Sequence, residues 1–266
     1  MILAGRTVLL TGATGGLGHA IARRLHAAGA ELVLTGRRAE VLEPLASETG
    51  ARSFAIDLAD PAAAERLAEE CADIDILVAN AGVSVAGNLL GFFVEEIDRA
   101  LAVNLRAPMV LSRLLAGHMA ERGTGHLVLI SSLAGKVSTP AQSVYSATKF
   151  GLRGFAQGAR ADLRARGVGV SVVFPGFVRD AGMFHDSGAR LPRFVGTSTP
   201  EEVAEAVVRA VEGDRAEIDV APLPLRAGAL AGGIAPNLVA GVQRRLGGDR
   251  DATALVEDQS RSRDGG

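Results

Sequence analysis

The sequence predicts a doubly wound α/β fold, and three observations carry that expectation. Short runs of β-branched residues and leucine recur along the chain, longer Ala-, Leu-, Glu- and Arg-rich stretches of helical period lie between them, and a cluster of glycines follows the first run. Strands that alternate with helices imply a parallel sheet covered on both faces.

In chain order, strands are expected at 7–10, 32–35, 53–56, 74–79, 126–130 and 170–174, each short, apolar and bounded by turn residues. Helices are expected at 17–28, 39–48, 61–71, 145–166 and 200–212. Pro61 fits the opening of its helix, because a first turn has no partner for the missing N–H, and Asp60 and Ser143 are candidate caps. Residues 177–199 dissolve into Gly, Pro, Arg and Ser, too long for an ordinary connection and therefore a candidate lid over a binding site. The apolar segment 221–246 is interrupted by Gly232, Gly233 and Pro236, which favours a substrate-side or subunit-contact element over a helix resting on a membrane. The expected division is one domain over 1–247 and a polar, disordered tail over 248–266. No internal repeat is visible.

Composition narrows the function. With 28 basic and 30 acidic residues the formal net charge is −2, and the five histidines are scattered, so neither nucleic acid nor a His-rich metal site is indicated. Cys71 is the only cysteine, which excludes an internal disulfide and a Cys-based zinc cluster and reads as core filler in a reducing compartment. The N-terminus runs straight into the first strand with no charged leader and no apolar stretch long enough to span a bilayer. A soluble, cytoplasmic protein with a small-molecule partner is expected.

The first strand leads into Thr11-Gly12-Ala13-Thr14-Gly15-Gly16-Leu17-Gly18 and then a helix, the context a dinucleotide site needs. Glycine carries no Cβ, so the backbone can approach a pyrophosphate whose charge meets amides at the helix N-terminus. About 20 residues further on, where an acidic side chain would hold a ribose 2′-hydroxyl, stand Arg37 and Arg38. Planar guanidinium groups suit a 2′-phosphate, so NADP(H) is preferred, with NAD(H) as the alternative. Asp57 after the third strand and Asn80-Ala81-Gly82 after the fourth lie where strand ends converge on a ligand. His19 reads as a helix-surface residue. His118, His126 and His185 show no ligand spacing, although His185 with Asp186 falls in the variable loop.

Tyr145 and Lys149 stand four residues apart, which stacks phenol and ammonium on one helix face. A nearby ammonium favours phenolate and would bring the phenol toward neutral pH, where it can exchange a proton with a forming alkoxide. Ser132 closes the fifth strand one loop before Tyr145 and can reach the same carbonyl oxygen; Asn104 lies on an earlier helix.

Together, the glycine turn, Asn80-Ala81-Gly82, Asn104, Ser132, Tyr145 with Lys149, and Pro175-Gly176 resemble, in order and over roughly residues 5–212, the classical short-chain dehydrogenase/reductase family. The resemblance implies a single Rossmann-type domain with a mainly parallel seven-stranded sheet in the order 3-2-1-4-5-6-7. It implies Tyr145 as general acid or base, Lys149 lowering its pKa and holding the nicotinamide ribose, Ser132 bonding the substrate oxygen, and Asn104 anchoring a water that links Lys149 to solvent. Cofactor contacts are implied for Gly12, Thr14, Gly15, Gly16, Leu17, Gly18, Arg37, Arg38, Asp57, Leu58, Asn80, Ala81, Gly82, Tyr145, Lys149, Pro175, Gly176 and Val178. A homodimer or homotetramer pairing helices around 95–120 and 144–166 is implied as well.

Two positions depart from the family pattern: Ala79 replaces a usual Asn and Thr148 a common Ser. The adjacent Gly15 and Gly16 also satisfy the spacing of extended relatives that act on nucleotide sugars, but too few residues follow Pro175 for their substrate domain. An epimerase or dehydratase with tightly held cofactor, and a non-catalytic nucleotide sensor, remain alternatives. Substrate and physiological direction are left open.

Overall fold

The structure is a computed structural model that describes residues 1–181 and 196–234. Seven strands form one sheet: β1 (Thr7–Leu10), β2 (Glu31–Gly36), β3 (Arg52–Ala55), β4 (Ile76–Ala79), β5 (Gly125–Ile130), β6 (Val168–Pro175) and β7 (Glu217–Val220). Their order is β3-β2-β1-β4-β5-β6-β7, and every neighbouring pair is parallel. The helices are α1 (Gly16–Ala27), α2 (Ala39–Thr49), α3 (Ala63–Glu70), α4 (Val94–Leu101), α5 (Ala107–Arg122), α6 (Ser143–Leu163), α7 (Pro200–Glu212) and α8 (Leu223–Ile234).

The strands read as continuous apolar runs because both faces are covered, and their two-residue period sorts side chains between two cores. Val8, Leu10, Ile76, Val78, Val128 and Ile130 pack with Ile21 and Leu25 of α1, Leu42 of α2 and Val203 and Val207 of α7. The intervening Leu9, Leu77, Leu127 and Leu129 face Leu67 of α3, Leu111 and Met119 of α5 and Leu152 of α6. Removing each such leucine from water contributes about 1.5–3 kcal/mol. Cys71 fills the second core as expected, and burial pushes its thiol up to about 11.

A smaller cluster of Val85, Ala100 and Val144, flanked by Phe92 and Ile97, fixes the loop after β4 and helix α4 against the start of α6. Between α4 and α5 the chain widens into a π-helical turn over Ala102–Arg106, a geometry that often marks a functional position. Helix α7 starts where the sequence indicates: Thr199 Oγ accepts the Glu202 amide, Glu202 returns the bond to the Thr199 amide, and Pro200 occupies the first position.

Several expectations need correction. Ser143 is the first residue of α6 rather than its cap, and Gln142 before it makes no side-chain capping bond. Asp60 caps the turn before α3, accepting the Ala62 amide at 3.0 Å, so the helix begins two residues after Pro61. The seventh strand was not among the apolar runs, because Glu217 and Asp219 occupy half of its four positions. Glycines 232 and 233 do not interrupt α8. The segment 177–199, expected as a candidate lid, begins and ends beside the sheet: Ser198 N–H donates to Phe177 O at 2.8 Å, Arg179 N–H to Ser198 O at 2.9 Å, and Ser198 Oγ to Val220 O at 3.2 Å. Its central part, with His185 and Asp186, and the tail over 248–266 lie outside the described residues.

Candidate active site

In a parallel sheet the strand ends on one edge gather the loops that follow them, and here β1, β4 and β5 lie side by side. The turn after β1 is held from below. Thr11 Oγ accepts the backbone amides of Asn80 and Ala81 at 3.1 and 3.0 Å, while Asn80 Nδ2 donates to the carbonyls of Thr11 and Gly12, both at 3.1 Å. Asn80 therefore spends both side-chain donor hydrogens on shaping the turn.

Gly12 sits at φ +69°, and a Cβ there would come within 2.7 Å of Ala81 Cα. At Gly18 a Cβ would come within 2.2 Å of Gly12 O. The fit leaves backbone, not side chain, exposed at the start of α1, where Gly15 and Gly16 lie open. First-turn amides of a helix have no intrahelical partner, so this cradle has the donor chemistry for a pyrophosphate.

Beside it, Arg37 and Arg38 are exposed at the end of β2, and Arg38 Nη2 donates to Thr14 O at 2.9 Å, tying the arginine pair to the glycine turn. Asp57 Oδ1 accepts the Ala59 amide at 3.0 Å and Oδ2 pairs with Arg99 of α4 at 3.0 Å. Burial works against its charge, but the Ala59 amide and the Arg99 and Arg37 guanidiniums outweigh it and hold the carboxyl below its ordinary value. Leu58 and Val178 are buried in opposite cores, so what they can offer a ligand is backbone. Pro175 ends β6 and Gly176 N–H donates to Val220 O at 2.9 Å, which fixes the exit of β6. His19, on α1, is partly enclosed, with Nε2 shut off from solvent and without a hydrogen-bond partner, more buried than a surface histidine.

Ser132, Tyr145 and Lys149 come together at the end of β5. Lys149 is buried, and Nζ donates to Ile130 O at 3.0 Å, 5.6 Å from the centre of the Tyr145 ring. Ser131 Oγ donates to Lys149 O at 3.1 Å, so the backbone of α6 is pinned to the strand end at the lysine. Ser132 Oγ accepts the Ala134 amide at 3.2 Å, and its hydroxyl interacts with the Tyr145 phenol.

The protonation pattern differs from the sequence expectation. Burial raises the Tyr145 phenol to about 12, with the Ser132 hydroxyl acting in the opposite sense, and burial lowers Lys149 to about 8. The ammonium does not draw the phenol down, because Lys149 is turned into the Ile130 carbonyl and loss of water dominates both groups.

Asn104 occupies the π turn. Its Oδ1 accepts Val83 N–H at 2.7 Å, and Nδ2 donates to Val83 O at 3.0 Å and reaches Thr148 Oγ at 3.4 Å. The side chain thus ties the loop after β4 to α6. Thr148, the departure from the usual serine, donates to Tyr145 O at 2.7 Å and keeps a hydroxyl in that network. Thr11, Ser131 and Arg99 were not singled out from the sequence. The first two are buried hydroxyls at strand ends, which is the signal that could have found them. Arg99 carries no local signal at all.

Comparison with known proteins identifies the family. A model of the short chain dehydrogenase family matches residues 6–191. The ketoacyl reductase HetN of Nostoc sp. is 39% identical over 232 residues, which cover 84% of this chain and 81% of that protein. Dehydrogenase/reductase SDR family member 7B of Mus musculus is 38% identical over 184 residues, and the match spans 57% of its length. Among solved structures, a short-chain dehydrogenase from Sphingobium yanoikuyae in complex with NADPH superposes with a TM-score of 0.75 at 28% identity, covering 85% of this chain and 92% of that one. A metagenomic short-chain oxidoreductase in complex with NADP gives 0.70 at 34% identity, covering 84% and 99%. In motif order, sequence and sheet topology alike, this chain belongs to the classical short-chain dehydrogenase/reductase family and is an NAD(P)-dependent oxidoreductase.

Proposed function

We propose that the chain is an NADP(H)-preferring reductase of a small carbonyl compound, with Tyr145 as proton donor, Ser132 as second donor to the substrate oxygen and Lys149 as the cation behind the phenol. The observation that carries this reading is the meeting of those three side chains at the end of β5, two strands from the glycine cradle. The dinucleotide, when bound, supplies the hydride. The protein's part is to receive charge on oxygen. Held by the Ala134 amide beside the Tyr145 phenol, the Ser132 hydroxyl turns from the phenol to donate to the carbonyl oxygen when substrate binds. A phenol raised to about 12 is fully protonated at neutral pH, yet remains far more acidic than a secondary alcohol. The Tyr145 O–H bond breaks as the product O–H forms, and the phenolate left behind draws on the Lys149 ammonium only once that group turns from the Ile130 carbonyl toward it, before solvent returns the proton.

Preference for NADP(H) is supported by Arg37 and Arg38 at the end of β2 and by the NADPH and NADP complexes among the structural relatives. Gly12, Thr14, Gly15, Gly16, Leu17 and Gly18 would hold the pyrophosphate, with Asp57 and the backbone of Leu58, Ala81, Gly82, Gly176 and Val178 along the remaining cleft. The ketoacyl reductase relative, with a solved structure described as a betaketoacyl-ACP reductase among the matches, favours a 3-oxoacyl compound as the first substrate class to test. We also infer a homodimer or homotetramer, since Val94 and Leu101 of α4 and Phe150 of α6 are exposed on the helices expected to pair. The test is a panel of carbonyl compounds, with ethyl acetoacetate as the 3-oxo probe, followed by NADPH and NADH absorbance. Stoichiometric NADPH consumption supports reduction. Substrate turnover with no net cofactor change would replace it with the epimerase or dehydratase reading.

A further inference from the structure

Strand β7 closes the sheet, and Glu217 and Asp219 alternate along it with buried Ile218 and Val220. Charges on an edge strand commonly serve only to block pairing with another chain. These two carboxylates are committed elsewhere. Lys136, only 13% exposed, lies 2.5 Å from Asp219 Oδ1 and 3.0 Å from Glu217 Oε2, with Nζ 4.1 Å above the ring of fully buried Phe174. Arg153 of α6 grips both oxygens of Glu217 at 2.7 and 3.0 Å, Gln157 adds a bond at 3.1 Å, and Arg226 of α8 faces Asp219 at 4.0 Å.

A lysine drawn out of water in this way needs close compensation, and two carboxylates with an aromatic face provide it. Lys136 also ends the turn that begins at Ser132. Gly135 N–H donates to Ser132 O at 2.8 Å, and the amides of Lys136 and Val137 donate to Leu133 O at 2.8 and 3.0 Å. At its other side the turn rests on α6, so closely that a Cβ on Gly135 would come within 2.7 Å of Lys149 O. The turn carrying Ser132 Oγ is thus pinned at both ends, by the Ser131 Oγ bond to Lys149 O just before it and by the ammonium of Lys136 at its close.

We infer that Lys136 is a positioning residue, whose anchorage to Glu217 and Asp219 holds the Ser132 turn in the conformation that aims the serine proton at the substrate oxygen. The inference rests on the assignment of Ser132 under the proposed function, and a double-mutant cycle separates the two. Turnover of ethyl acetoacetate with NADPH is measured for the native chain, Lys136→Met, Ser132→Ala and the double variant. Lys136→Met is expected to lower kcat about tenfold or more, with NADPH affinity unchanged, because small misplacement of a donor is costly. In the Ser132→Ala background the same substitution is expected to cost less than about twofold. Lys136→Arg, which keeps the charge, is expected to recover most of the rate.

An unchanged rate in Ser132→Ala would overturn the serine assignment itself. Equal losses from Lys136→Met in both backgrounds, or no loss at all, would overturn the positioning inference alone. Hydrogen exchange supplies a readout that needs no substrate: the amides of Gly135, Lys136 and Val137 are expected to exchange faster in Lys136→Met while those of α1 do not. Unchanged protection there refutes the inference. Asp219→Asn, which keeps the lysine stem packed, serves if the methionine variant does not fold.

Discussion

Cofactor choice offers the sharpest quantitative prediction, through Arg37→Asp. Arg37 is exposed beside the glycine turn, whereas Arg38 already donates to Thr14 O, so only Arg37 can be changed without disturbing the pyrophosphate cradle. A charge-assisted hydrogen bond to phosphate contributes about 1.5–3 kcal/mol, and the exposed setting argues for the lower end. Replacing the cation by a carboxylate adds repulsion of about 1 kcal/mol per unit charge at contact in water. With a 2′-phosphate close to doubly charged, the sum is about 3.5 kcal/mol, a loss of roughly three-hundredfold in NADPH affinity. NADH, which lacks that phosphate, is expected to bind within about twofold of the native affinity. Calorimetric titration of both cofactors measures the two constants directly, and raising ionic strength from about 0.1 to 1 M should narrow the native difference as the screening length shrinks. Equal native affinities, or parallel loss of both cofactors in the variant, would refute the assignment of the arginines.

Further outcomes follow from the same geometry. Tyr145→Phe is expected to lower kcat by about a hundredfold or more while leaving NADPH affinity within about twofold, measured by steady-state turnover and titration. Gly18→Ala, which would set a Cβ 2.2 Å from Gly12 O, is expected to cost at least about 3 kcal/mol in denaturant unfolding and to abolish NADPH binding in whatever protein remains folded. His126 is held neutral, since burial, partly opposed by Asp214, lowers it to about 4 from an ordinary 6.5. Because the unfolded chain binds that proton more readily, stability is complete above about pH 6.5 and is lost as pH falls toward about 4, by about 3 kcal/mol in all. Chemical unfolding across that range should show the slope, and His126→Gln should flatten it.

The strands were legible because covering a parallel sheet on both faces forces near-continuous apolar runs, and Leu127 to Ile130 is one such run. Strand β7 escaped for the opposite reason. Its Glu217 and Asp219 look solvated until Arg153 and Lys136 arrive from 64 and 83 residues away, a pairing no local window contains. Much of the site was legible too, since Tyr145 and Lys149 must share a helix face and the glycines must leave room for backbone. Their protonation was not, because it depends on how much water the assembled fold removes rather than on spacing. The committed donors of Asn80 and Asn104 were hidden for a similar reason: a residue type advertises what it can bond, not which partner reaches it first.

The burial of Cys71 has a practical corollary. The chain's only sulfhydryl is shielded in the core and reluctant to ionise, so maleimide and related reagents will find almost nothing to modify in the folded native protein. A cysteine introduced at a solvent-facing site such as Leu90, which is 94% exposed, would carry a dye or spin label at a single address. That label could then be read spectroscopically without first stripping the molecule of its natural thiol.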